Sequence, residues 1–273
     1  MGLRINTNIA SLNAQKNLDG VSERLQGNYN RLSSGLRITK ASDDAAGLGL
    51  SEKLRSKIKS SEQAGRNAQD GISFVQTAEG ALTETGNLLN RIRELAVQAA
   101  NGTLGSSERT TINNEVQSLV AEIDRISDTT EFNGVNLLDG STTTASIQVG
   151  INASQTIDVG LQNSSATTLG INAVSTTSVT NANTTIAAID TAITTISSAR
   201  GTLGASQNRL QSAFTSIQTS RENLSASESR IRDLDFAAET ADLTRNSILQ
   251  QAATSVLQQA NTQPQIALSL LRG

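Results

Sequence analysis

Asp43 and Asp44 stand side by side. Paired carboxylates can do general acid–base chemistry or hold a hard cation. Neighbouring residues of a helix do not share a face, and no third ligand lies near these two in sequence. Together with Ser42 they are better suited to starting a helix, where an N-cap oxygen and first-turn negative charge are both favourable. The chain has neither histidine nor cysteine. Imidazole bases, thiolate nucleophiles, disulfides and nearly all zinc and haem sites are thereby removed. Gly71, Gly80 and Gly86 form no phosphate loop, because the GxxxxGK[ST] pattern is absent. Inside a helix each costs up to about 1 kcal/mol against alanine, and close approach of a neighbouring helix is the expected compensation. No catalytic residue, cofactor site or metal site is expected, and an enzyme is disfavoured.

With chemistry set aside, the elements themselves carry the signal. Seven apolar residues recur seven positions apart: Ile189, Ile196, Leu203, Leu210, Ile217, Leu224 and Ile231. That spacing keeps one stripe of a helix facing one partner. A helix over 189–231 is roughly 65 Å long at 1.5 Å per residue. A second column, Leu54, Ser61, Ala68, Val75, Leu82, Leu89 and Ala96, predicts another long helix whose small residues admit a close neighbour. Shorter helices are expected over 7–32, 107–129 and 235–260. The first carries Ile5, Ile9 and Leu12 on one face. After a phase slip Leu18, Val21, Leu25 and Leu32 lie on another, with Asn28 polar in the seam. The last has a broad apolar face that includes Ile248, Leu249, Val256 and Leu257, and Pro264 is expected to follow its end.

Residues 141–183 are crowded with Ser, Thr and Asn, yet Ile147, Val149 and Ile151 alternate, as do Ile157, Val159 and Leu161. This predicts a hairpin broken at 152–155, with exposed polar loops flanking it and room there for O-glycosylation. The expected fold class is mainly α: an elongated antiparallel helical rod or bundle with long heptad-patterned helices and a small β-hairpin region. Aromatic residues make up only 2% of the chain, which suits narrow helix–helix seams better than a thick core. The net charge of −3 offers no basic footprint for nucleic acid. No apolar run approaches the roughly 18 residues needed to enter a bilayer, so no membrane insertion is expected. Residues 1–15 contain no apolar h-region, so secretion by an ordinary signal peptide is not expected. The apolar faces of the terminal helices instead ask for copies of the same molecule, and a non-closing contact of that kind grows a helical filament.

The residues that support this picture resemble those of bacterial flagellins. The matching stretches are LSSGLRI (32–38), DDAAGLGLSEKLR (43–55), NAQDGISFVQTAEGALTET (67–85), RIRELAVQAANG (91–102), EFNGVNLLDG (131–140), NLSASESRIRD (223–233) and QANTQPQIALSLLRG (259–273). The resemblance implies an inner-core domain from residues 1–42 with 235–273, and an outer-core domain from 43–234. It lapses in the middle, where larger flagellins insert variable outer domains. It implies a secreted, extracellular subunit of the flagellar filament, exported through the flagellar type III apparatus. A cytoplasmic export chaperone would bind within 235–271, and filament cap and hook-junction proteins would be further partners. By the same resemblance Arg91, Leu95, Gln98 and Glu115 match a surface read by the host Toll-like receptor for flagellin, and the same residues serve as subunit contacts. A hook–filament junction protein or a secreted coiled-coil binding module are the alternatives.

Overall fold

The computed structural model describes residues 7–272, with side chains described from 7 to 263. The described residues form five helices: α1 (Ile9–Ser34), α2 (Ala45–Ala99), α3 (Ser106–Thr129), α4 (Val179–Arg232) and α5 (Phe236–Arg272). Between α3 and α4 lie two antiparallel strand pairs, β1 (Glu131–Phe132) with β2 (Val135–Asn136), and β3 (Thr144–Gln148) with β4 (Thr156–Gly160). The chain divides into two compact units, one of residues 1–56 with 223–273 and one of 57–222.

The helix boundaries follow from local chemistry. The Asn8 side chain accepts the amide of Ser11 and caps α1, and Gly35, in the left-handed region at φ 71°, ends it. Asp44 accepts the Gly47 amide at 2.8 Å and so caps α2. The expected partition of work among Ser42, Asp43 and Asp44 is corrected accordingly. The Asp43 carboxylate instead takes the Thr39 amide, the Lys40 amide and the Thr39 hydroxyl. Those donors hold its carboxyl below the usual aspartate range. Its role is to tie the turn before α2.

In the unit of residues 57–222 the seam positions Val75, Leu82, Leu89, Ile189, Ile196, Leu203 and Leu210 are buried in one core cluster. The same two columns are only half-buried at their other ends, at Leu54, Ile217, Leu224 and Ile231. Gly71 is where a close approach is needed: a Cβ there would lie 3.1 Å from Ile147 and 3.4 Å from Leu210. Gly80 and Gly86 have nothing within 4 Å, so the close packing expected of them is corrected. Replacing either with alanine is predicted to raise stability by roughly 0.5–1 kcal/mol, through helix propensity alone. Gly71→Ala is predicted to lower the melting temperature, and thermal denaturation of the three variants checks the contrast.

The hairpin forms over nearly the expected residues, with Ile157 and Val159 buried beneath it. Ile151 falls in its turn and is exposed, not on a strand. The expectation of exposed flanking loops fails over 162–176, just past the last expected hairpin position, Leu161. There Ser164, Ala166, Leu169, Ile171, Val174 and Thr176 are buried. An irregular segment can be buried only if its backbone polar groups find partners. Helix α3 supplies them: Asp124 accepts the Ala166 amide, Gln117 donates to the Val174 carbonyl and Asn113 accepts the Thr176 amide. The β1–β2 turn, missed in the sequence, is formed by Asn133 and Gly134 at φ 51° and 77°. An Asn-Gly pair is well suited to such a tight hairpin turn.

Candidate functional site

In the unit of residues 1–56 with 223–273, α1 packs along α5. On α1 the inward residues are Ala14, Leu18, Val21, Leu25, Asn28 and Leu32, spaced alternately four and three apart. On α5 they are Glu239, Leu243, Asn246, Gln250, Ala253, Leu257 and Ala260, again alternately four and three. Two such columns are the signature of a coiled-coil seam. The seam is unusually polar at one end. Asn28, buried, donates to Glu239 Oε1 at 2.6 Å and accepts from Asn246 at 2.9 Å. Arg31 approaches the other Glu239 oxygen at 4.0 Å. Glu239 is only 8% exposed. A buried polar cluster of this kind fixes one register, because any slip strands its donors and its charge.

Other large aliphatic side chains lie outside the seam. Ile248 is 60% exposed, Val256 59%, Leu12 57% and Ile9 54%, and Leu249 and Tyr29 are exposed as well. The phase slip in α1 has a structural meaning: Val21 and Leu25 face α5, while Ile9 and Leu12 face away from it. Ile5, expected beside them, lies outside the described residues. On α5 the broad apolar face divides: Leu257 turns into the seam and Ile248, Leu249 and Val256 turn out. Exposed apolar residues scattered singly need no explanation, but a continuous stripe of them marks an interaction surface.

One further correction concerns this unit. Helix α5 does not stop before Pro264 but continues to Arg272. Proline cannot donate to the helix ladder, so the carbonyl of Ala260 loses its regular donor. The Asn8 side chain takes that carbonyl at 2.7 Å. The charged groups of SESRIRD also act between segments. Arg232 pairs with Glu52 of α2 at 2.7 Å, and Arg37 donates to the Ile231 carbonyl at 2.6 Å. The amides of Arg37 and Leu234 donate to the carbonyls of Arg232 and Gly35.

In the other unit, Arg91 bridges Glu115 of α3 at 2.9 Å and Glu94 at 3.2 Å. Donation to Glu115, then to Glu94, pushes the guanidinium above the ordinary arginine value. Arg91, Gln98 and Glu115 present exposed side chains on the adjacent helices α2 and α3. Leu95 does not join them: it is 3% exposed and belongs to the core cluster. On a helix, residue 95 lies one turn from 91 and 92, and here it follows buried Ile92 inward rather than exposed Arg91. Asp190 accepts Arg93 at 2.6 Å, and that bond lowers the Asp190 carboxyl. Among the described residues no group of His, Cys, Asp and Glu is arranged to hold a metal, and no helix is long and apolar enough to cross a membrane.

The seam residues Glu239 and Asn246 and the double role of Asn8 were not foreseen. The three–four alternation from 239 to 260 is visible in the sequence, but three of its seven positions are polar and escape an apolar search.

Comparison with known proteins gives these surfaces a family. Residues 5–143 match the bacterial flagellin N-terminal helical region, and residues 186–271 match the bacterial flagellin C-terminal helical region. The flagellin of Halalkalibacterium halodurans is 47% identical over 270 residues, covering 98% of this chain and 99% of that protein. A flagellar filament 33 kDa core protein of Treponema phagedenis is 45% identical, covering 98% and 99%. The crystal structure of Bacillus cereus flagellin superposes with a TM-score of 0.52 at 32% identity, covering 60% of this chain and 94% of that one. Two helical regions that flank a short irregular middle, each matched in order and nearly end to end, leave one conclusion: the chain belongs to the bacterial flagellin family.

Proposed function

We propose that this flagellin works as the self-assembling structural subunit of an extracellular flagellar filament used for motility, and that the outward faces of α1 and α5 are the surfaces buried between copies. The observation that carries the second part is the division of α5. Its intramolecular seam holds Glu239, Asn246 and Gln250, while Ile248, Leu249 and Val256 face outward. A helix that mixes Leu243, Ala253, Leu257 and Ala260 with three polar residues in its own seam, and keeps three large aliphatic side chains on the face away from it, is built for another partner as well. Burial at roughly 25 cal/mol per Å² of apolar surface, repeated over many neighbours, holds such a polymer without covalent links. Like other flagellins it is a structural protein and not an enzyme.

On this reading the unit of residues 1–56 with 223–273 contains the inner-core pair, 1–42 with 235–273, and the helical bundle with its hairpin lies in the outer core, within 43–234. The remaining partners follow from the family. The type III export apparatus secretes the chain, an export chaperone covers the C-terminal helix within 235–271, and cap and hook-junction proteins adjoin the polymer. The Toll-like receptor for flagellin reads Arg91, Gln98 and Glu115 on the monomer, with Leu95 supporting that surface from beneath.

A depolymerise-and-reseed cycle tests the main reading. Purified chain added to short filament seeds should give long filaments under the electron microscope. A chain that caps seeds without elongating them would instead be a junction protein, and one that ignores seeds at any concentration would be a coiled-coil module of another kind.

A further inference from the structure

Asn8 makes two contacts at once. Its side-chain oxygen accepts the Ser11 amide and caps α1, and its side-chain nitrogen donates to the Ala260 carbonyl at 2.7 Å. Four residues past Ala260 stands Pro264, the only proline of the chain. In a regular helix the amide of residue 264 would donate to the carbonyl of residue 260. Proline has no such amide, and α5 nevertheless continues to Arg272. Ala260 is buried, so its carbonyl needs a partner that water does not readily supply. Ser11 adds a second link one turn on, its hydroxyl donating to Asn261 Oδ1 at 2.7 Å.

We propose that Asn8 and Pro264 are a matched pair, a clasp in which the proline frees one carbonyl of α5 for the residue that starts α1. The clasp couples continuation of α5 beyond Ala260 to formation of the first turn of α1. Asn28 keys the register at the other end of the same seam, so the two helices are keyed at both ends with apolar rungs between. The coupling makes the two terminal segments, far apart in sequence, order together rather than separately. Asn8 is a positioning residue here; it acts through the Ala260 carbonyl.

A thermodynamic cycle of four full-length proteins tests this: wild type, Asn8→Ser, Pro264→Ala and the double variant. Serine still caps α1 but cannot reach Ala260. Alanine at 264 restores the missing amide. Hydrogen exchange of peptides covering 257–272 is measured in assembled polymer, and by millisecond pulse labelling in monomer should the chain not assemble. Asn8→Ser should speed exchange there about fivefold to tenfold in the wild-type background. In the Pro264→Ala background the same substitution should change it less than twofold. Equal acceleration in both backgrounds, or none in the wild-type background, overturns the clasp. Faster exchange confined to α1 overturns it as well, since that would leave Asn8 with its capping role alone. The clasp is a contact within one chain, so failure of assembly and failure of the clasp are read separately.

Discussion

Ile248→Asp combined with Val256→Asp stops the chain from elongating seeds while leaving its helix content unchanged. Both side chains are well over half exposed in the isolated molecule. Aspartate there costs the monomer no more than an ordinary surface change, within about 0.5 kcal/mol. Between subunits the same carboxylates would be dehydrated without partners, at several kcal/mol each. The penalty recurs at every subunit added, so even a partial effect becomes a complete block of growth. Light scattering of a seeded reaction, with circular dichroism of the monomer as control, reads both halves of the prediction. Elongation at the wild-type rate would mean that these faces are not the interface.

The second large effect concerns the seam itself. Asn28→Leu strips Glu239 Oε1 of its 2.6 Å donor and Asn246 of its acceptor. Glu239→Leu leaves the Asn28 donor without its carboxylate. Each single change is predicted to destabilise the α1–α5 pair by about 1–3 kcal/mol, the cost of a stranded buried polar group. The double variant, leucine at both positions, should recover the part of that loss that comes from the stranded Glu239 or Asn28 partner, since apolar replacement of a buried polar pair is often neutral, while half-buried Asn246 still lacks its acceptor. What it should lose is uniqueness of register. Cysteine crosslinking between Ala14 and positions along α5 would then trap several alignments where the wild-type pair traps one. Strictly additive single effects in chemical denaturation would contradict the coupling.

Much of this is legible in the amino-acid sequence. The long helices announced themselves because their columns are apolar at every seventh residue, from Ile189 to Leu210 and from Val75 to Leu89, and those stretches are the buried ones. The end of α1 lies within two residues of its expected place, at Ser34 against 32, where Gly35 stops the helix by chemistry that needs no tertiary context. What escaped was polar and long-range. Residues 162–176 read as solvent-facing loop because their composition is Ser- and Thr-rich. Their burial depends on Asn113, Gln117 and Asp124, tens of residues away on α3. Pro264 read as a stop because a proline usually is one. Its tolerance correlates with Asn8, at the opposite end of the chain. Leu95 sits in a segment whose resemblance suggested a surface, but a leucine between two buried turns follows the core. The assembly faces were visible as apolar residues, yet only the structure separates Leu257, turned inward, from Val256, turned out.

The central claim is that outward apolar faces of α1 and α5 are covered only when copies of the chain stack. Hydrogen exchange of residues 9–34 and 236–263, compared between dilute monomer and assembled filament, measures that directly. The account predicts amides that exchange readily in the monomer and are protected by at least two orders of magnitude in the filament, with residues 57–222 changing far less. Equal protection of the two helices in both states would contradict it.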